Sequence, residues 1–208
     1  MNTTYRDLNV AQFESEIDPF SIERYQQFYR HFPSDVSYVL DVGCNTGRGG
    51  NELKKLNNDL KITGLDCVRE RLDRIQEGIY EQKICSLTTN IDAPDCFFDV
   101  IVAGEFIEHL HPDDVDQTLL EFNRVLKSGG TLLLTTPNPG YLKLKLTGGS
   151  VLGGAHLSQH KSDDMRGRLE RIGFRSICIK GSGKVSRHLG ENFPLLSLYG
   201  SYLVSATK

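Results

Sequence analysis

The sequence has no CxxC pair, and its five cysteines, Cys44, Cys67, Cys85, Cys96 and Cys178, are an odd number scattered along the chain. That pattern argues against a disulfide framework and against a cysteine-rich zinc site, and leaves free thiols, buried or half-buried, as the reading. No apolar run approaches the roughly 20 residues that span a bilayer. The opening stretch MNTTYRDLNVAQFESEIDPF lacks the apolar core of a secretion signal, so a cytoplasmic location is expected. There is no excess of positive charge either. With 24 Lys and Arg against 27 Asp and Glu the formal net charge is −3, which gives no general attraction to nucleic acid or anionic lipid but leaves room for a local basic face. No internal repeat, low-complexity tract or appended nucleic-acid module is evident, and the sequence is silent on oligomeric state.

What is present is an ordinary globular composition, 38% hydrophobic and 25% charged over 208 residues, enough for one domain with a sizeable core. Ile22, Tyr25, Phe28, Tyr29 and Phe32 recur at spacings of three and four, which predicts an amphipathic helix over 21–32 that Pro33 ends. YVLDV, KITGLD, the weaker YEQKICSL, FDVIVAG, TLLLTTP, SICIK and SYLVSATK read as strands. Helices are expected from GGNELKKLN, from 68–78, from the PDDVDQTLLEFNRVLKSGG run that Gly129 stops, and from KSDDMRGRLERIGF with Ser162 as N-cap and Gly173 at its end. No helix pattern separates the last two strands. Alternating strands and helices imply an α/β fold, a doubly wound, mostly parallel seven-stranded sheet, with the last two strands making an antiparallel edge. The expected organisation is one domain over 1–208. Residues 1–35 form a helical cap, 36–137 the core and 138–160 a glycine-rich segment on the ligand-binding edge; 161–208 supply a helix and two strands.

The stretch VLDVGCNTGRGG, residues 39–50, carries the chemistry. A P-loop needs GxxxxGK[ST], but Arg48 stands where the second glycine belongs and no lysine follows. A dinucleotide loop needs GxGxxG, but Asn45 stands at its second glycine. Asp41, at the end of the first strand, would repel a phosphate by about 1 kcal/mol or more and attract a cation. Asp66 ends the second strand, where an acid suits vicinal ribose hydroxyls. Together they ask for a ligand with a ribose and a positive amino group but no pyrophosphate, which S-adenosylmethionine satisfies.

The order of motifs resembles the class I S-adenosylmethionine-dependent methyltransferases, whose fold is Rossmann-like. VLDVGCNTG resembles that family's first motif, ITGLDCV its second, FDVIVAGEFIEHL its fourth-strand motif and LLEFNRVLKSGGTLLLTTPNP the helix, turn and strand that follow. The later helix, SDDMRGRLERIGF, resembles one found in many small-molecule and glycan methyltransferases, and the likeness covers about residues 36–180. The resemblance implies S-adenosylmethionine as cofactor, S-adenosylhomocysteine as product, and these roles. Asp41 would face the methionine amino group directly or through water, and Gly43, Cys44, Asn45 and Gly47 would form the loop against the methionyl portion. Asp66 would take the ribose hydroxyls, Cys67, Ser86 and Leu87 would line the adenine, and the Gly104–Glu105 backbone would lie under the methionine end. Asn45 departs from the glycine common at that place, and Ser86 and Leu87 stand where many relatives have an acid.

Methyltransferases acting on RNA 2′-hydroxyls or quinone precursors carry a similar ExxEH with a later histidine. Here Glu105, Glu108 and His109, with His160 or His156, are the corresponding candidates for a divalent metal beside an acceptor hydroxyl. Bracing of the strand-four loop is the alternative for the same residues. His109, His156 and His160 are the candidate general bases. The expected reaction is methyl transfer to a hydroxyl of a small molecule, a sugar or a lipid-linked glycan. N-methylation and a non-catalytic cofactor-binding subunit remain open.

Overall fold

The computed structural model describes Tyr5, Asp7 and residues 20–208. About half of the cap expected over 1–35, residues 1–4, 6 and 8–19, therefore lies outside the described residues. All seven expected strands form and join one sheet: β1 Tyr38–Val42, β2 Lys61–Asp66, β3 Gln82–Cys85, β4 Phe98–Gly104, β5 Leu126–Pro137, β6 Arg175–Ser182 and β7 Ser201–Thr207. Their order is β3-β2-β1-β4-β5-β7-β6. The first five run parallel, and β7 is antiparallel to both β5 and β6, so it lies one place in from the edge and β6 is outermost.

The central strands are apolar on both sides because both faces are covered. Val39, Ile62, Val100, Val102, Leu133 and Leu203 form one layer with Tyr25 and Phe28 of α1 (Ser21–Tyr29) and Leu53 of α2 (Arg48–Leu56). The alternate residues Leu40, Ile101, Leu132, Leu134 and Val204 pack on the opposite side. There they meet Val115, Leu119 and Phe122 of α4 (Pro112–Val125) and Met165 and Leu169 of α6 (Ser162–Ile172). Between α2 and α4 sits the short α3, Arg69–Asp73; α5, Leu142–Thr147, follows β5.

Several local expectations are corrected. The helix expected over 68–78 stops at Asp73, because Leu72, Ile75 and Ile79 are packed with Cys44 in a small cluster and Gly78 takes a left-handed turn. The first helix ends at Tyr29, ahead of Pro33. Gly129 does not end α4. Leu126 already turns extended, and Gly129, at φ 78°, shapes a bulge that shifts the β4–β5 register between Phe98↔Leu126 and Val100↔Thr131. Ser162 is the first residue inside α6 and caps nothing. A short α7, Ser186–Leu189, and a 3-10 turn, Leu196–Leu198, occupy the β6–β7 connection where no helix was expected.

α1 is tied down near its C-terminal end. Phe28 is fully buried, and Gln27 bonds the Gly181 carbonyl, Glu191 and the Ser182 hydroxyl at 3.0, 3.0 and 2.7 Å. Replacing Phe28 by Ala should cost about 3–5 kcal/mol through the cavity it leaves. Urea denaturation followed by far-UV circular dichroism checks this, and a loss under 1 kcal/mol would mean the helix is not part of the cooperative core.

Candidate active site

The carboxyl ends of β1, β2 and β4 open onto one cavity of about 1000 Å³. Of the residues singled out from sequence, Gly43, Cys44, Asn45, Asp66, Cys67, Ser86, Leu87, Gly104, Glu105, His109 and His156 are in its wall. Asp41, Gly47, Glu108 and His160 are not in the wall, for separate physical reasons.

Asp41 alternates with Leu40 and Val42 and so points to the side of the sheet that α1 and α2 cover. It is completely buried, and its two carboxylate oxygens accept hydrogen bonds from the Tyr25 and Tyr80 hydroxyls at 2.5 and 2.6 Å. Burial raises its pKa to about 6, against the opposing pull of the two phenols. Burial likewise raises both phenols well above their usual range, so they remain donors. The direct approach of a ligand to Asp41 is thus closed, and it is Tyr25 that reaches the cavity wall. The paired glycines at the start of α2 make this possible. A β-carbon on Gly49 would sit 2.0 Å from the Tyr25 ring, and one on Gly50 would sit 2.5 Å from the Tyr80 ring.

The loop itself is held by Gly43 and Cys44 amides donating to the Leu65 carbonyl at 2.8 and 3.0 Å. Gly43 faces the Phe106 ring, where a β-carbon would lie at 2.8 Å, and Gly47 supplies the left-handed turn into α2. Asn45, standing where glycine is common, takes φ 51°, the left-handed region that asparagine enters more readily than most residues, so the turn is kept. Its amide donates to Asp66 Oδ2 at 3.0 Å, and the Val68 amide donates to Asp66 Oδ1 at 2.9 Å. Arg71 Nη1 lies 4.0 Å away. Each Asp66 oxygen keeps a further lone pair, and burial raises this carboxyl too, opposed by these partners.

At the other end of the cavity the acid–histidine motif folds back on itself. β4 is followed by Glu105, a non-glycine residue at φ 50° pinned by its amide to the Thr135 carbonyl and hydroxyl at 3.0 and 3.1 Å. Such a conformation is costly and collects at functional sites. The 3-10 turn Ile107–His109 follows, and the Leu157 and Ser158 amides both donate to the Glu108 carbonyl at 2.8 and 3.0 Å. This pins the returning chain and sets His156 against His109, ring centroids 5.0 Å apart. Ligand atoms of Glu108, His109 and His156 all lie within 4.8 Å of one another. His109 Nδ1 is 3.1 Å from the Ala155 carbonyl and His156 Nδ1 2.9 Å from the Val151 carbonyl. Those carbonyls only accept, so Nδ1 of each ring is the donor there. Burial, with His156 adjacent, lowers His109 to about 4. Glu108 is raised well above the carboxylate range by burial and by Glu105 beside it. One oxygen of Glu108 and one of Glu105 are buried without a hydrogen-bond partner.

His160 leaves this group. Its Nε2 lies 2.9 Å from the Ser158 hydroxyl, and it is buried behind the loop rather than in the cavity wall. His156 takes the place in the cluster that His160 held among the sequence candidates. Tyr80, Arg71 and Arg24, all close to the site, had no motif to mark them, and Phe106, inside the fourth-strand motif, was not singled out. Tyr80 sits in GIYEQ with no periodic signal, and only the folded β2–β3 connection brings it under Asp41.

With this geometry in place, the likeness to known proteins is informative. Residues 40–134 match the family model described as Methyltransferase domain. The mitochondrial ubiquinone biosynthesis O-methyltransferase of Mus musculus is 31% identical over 117 residues, 52% of this chain and 30% of that protein, so the match spans under a third of the relative's length. The sarcosine/dimethylglycine N-methyltransferase of Halorhodospira halochloris is 26% identical over 200 residues, 89% of this chain and 70% of that one. A SAM-dependent methyltransferase from Archaeoglobus fulgidus superposes with a TM-score of 0.70 at 23% identity, covering 90% and 92% of the two chains. Residues 40–134 match a methyltransferase domain, and together these likenesses support a class I S-adenosylmethionine-dependent methyltransferase. The cofactor of that class is S-adenosylmethionine, a sulfonium with a free ribose.

Two variants check the local physics. Gly49→Ala should destabilise the chain by about 1–3 kcal/mol, because the added carbon meets the Tyr25 ring; an unchanged denaturation midpoint would contradict the contact. His160 is lowered from 6.5 to about 4 by burial. The unfolded chain therefore binds more protons between those values, and this histidine's contribution is full above pH 6.5 and lost as pH falls toward 4. His160→Gln should flatten that slope by up to about 3 kcal/mol, read from urea midpoints across the same range.

Proposed function

We propose that the chain, working as one cytoplasmic methyltransferase domain, transfers the methyl group of S-adenosylmethionine to a hydroxyl of a small molecule or sugar, free or lipid-linked. The single observation that carries the hydroxyl is the cluster of Glu108, His109 and His156, whose two histidines line the cavity that also holds Asp66 and the glycine loop. Asp66 takes the ribose hydroxyls, and the Gly43–Asn45 backbone, backed by Tyr25 on Asp41, receives the methionyl part. Cys67, Ser86 and Leu87 line the adenine, and the Gly104–Glu105 backbone supports the methionine end. The methyl carbon moves in line from sulfur to the acceptor oxygen. The C–O bond forms as the C–S bond breaks, S-adenosylhomocysteine leaves, and the hydroxyl proton passes to an unprotonated Nε2 of His109 or His156. Alignment of two bound partners in a desolvated cavity supplies much of the rate, since the sulfonium is already an activated donor.

The same residues suit a divalent metal. Two imidazole nitrogens with their other nitrogens fixed on carbonyls, and a buried Glu108 oxygen with no partner, form a donor set of the right kind. Glu105, whose charge acts on Glu108, stands next to them. A bound divalent ion would acidify an acceptor hydroxyl. In that metal-assisted form both Nε2 atoms would be taken by the ion, and the proton of the acidified hydroxyl would leave to solvent instead of to a histidine.

The test is an acceptor panel of catechols, simple alcohols, sugars and amines with labelled S-adenosylmethionine, followed by mass spectrometry of the product. Methyl gain on a hydroxyl acceptor is expected, with activity lost in excess chelator and restored by added divalent ion. His156→Ala should lower kcat by about 10–100-fold or more while leaving cofactor affinity unchanged. Transfer to amines alone would overturn the hydroxyl assignment, full activity in chelator would remove the metal, and binding without transfer to any acceptor would favour a cofactor-binding subunit.

A further inference from the structure

Residues 138–161 contain no aspartate or glutamate, although the whole chain has 27. They hold three lysines, Lys143, Lys145 and Lys161. Within them α5 has no buried residue. Leu142 is 43% exposed and Leu146 78%, the most exposed large apolar side chain among the described residues. Four residues apart, they share one face of the helix. At 3.6 residues per turn, Lys143 and Lys145 fall about 80° to either side of that leucine ridge, and Leu144, half-buried, faces the protein. α5 packs on the 3-10 turn Leu196–Leu198, and Leu195 immediately before that turn is 54% exposed.

The position matters as much as the composition. Tyr141, just before α5, lines the cavity, and so do Gly153, Gly154 and His156 after it. Both ends of the excursion are therefore in the cavity wall, and the exposed leucines lie on the segment between them. An apolar ridge with a lysine on each flank is the pattern of a segment that sinks leucines to the acyl boundary while its ammonium groups reach the headgroups.

We propose that α5 and the adjoining Leu195 are a docking surface for an anionic lipid membrane, which places the cavity mouth against the bilayer surface. Charge selects this occupant. A second copy of the chain would bring Lys143 and Lys145 against their own counterparts, whereas anionic headgroups neutralise both. The consequence for the acceptor, that it is an amphiphile entering from the membrane, rests on the hydroxyl-transfer reading; the docking surface does not, and its test uses neither acceptor nor methyl donor.

The experiment is co-sedimentation of the full chain with vesicles of phosphatidylcholine, with and without phosphatidylglycerol. Binding is expected to the anionic vesicles, weakening as salt rises. The pair Leu142→Ser and Leu146→Ser should weaken it about tenfold or more, and the pair Lys143→Gln and Lys145→Gln by a similar factor on anionic vesicles only. Because Leu142, Lys143, Lys145 and Leu146 are all exposed, both variants should keep the wild-type denaturation midpoint. Absence of vesicle binding, or binding untouched by either pair, overturns the proposal. So does a concentration-dependent dimer in sedimentation velocity that the leucine variant abolishes, since the ridge would then be a contact between copies.

Discussion

The site depends on a buried carboxylate that has two phenolic donors. Removing Asp41 from water costs several kcal/mol, and the Tyr25 and Tyr80 hydroxyls offset that cost with two short charge-assisted bonds. Tyr25 comes from the first helix, Tyr80 from the connection into β3, and Asp41 from the central strand. One side chain thus holds the cap, the sheet and the cofactor loop in register. Gly49 and Gly50 belong to the same arrangement, since any side chain there would occupy the space of a tyrosine ring.

From that anchor the loop takes its shape, and the rest of the cavity follows. The loop amides hang on the Leu65 carbonyl, and Asn45 donates to Asp66, so the ends of β1 and β2 present one continuous surface. On the far side of β1, the strained Glu105 starts a turn that would leave the Glu108 carbonyl bare, and the returning Leu157 and Ser158 amides cap it. That pair of bonds makes His156 a neighbour of His109 across 47 residues of chain. The donor end and the acid–histidine end are therefore built independently and meet over the same cavity.

Much of this was legible in the sequence where a periodic pattern or a motif spoke. The strands and the long helices carry their alternation and their three-and-four spacing openly, and Asp41 and Asp66 stand at strand ends whose order points to the cofactor. Tyr25 was readable as an inward position of the first helix, but its bond to Asp41 was not, and nothing in GIYEQ marks Tyr80 as a residue that returns under β1. The choice between His156 and His160 could not be made from spacing. It is decided by where the Glu108 carbonyl finds its donors. The β6–β7 connection was read as plain strand-to-strand chain because its helical turns are too short to show a period. Asp41 was assigned to the ligand on charge and on the family resemblance, and the two hydroxyls that reach it are visible only in the fold.

The most direct test of Asp41 as the organiser of the cofactor loop is isothermal titration of S-adenosylmethionine into the wild-type chain and into the Tyr25→Phe, Tyr80→Phe double variant. Phenylalanine keeps both rings and removes only the two bonds to the carboxylate. Saturable binding by the wild type and a loss of about tenfold or more in the variant are expected, since each bond to a charged group is worth about 1.5–3 kcal/mol. No saturable binding by the wild type, or equal affinity in both chains, would contradict it.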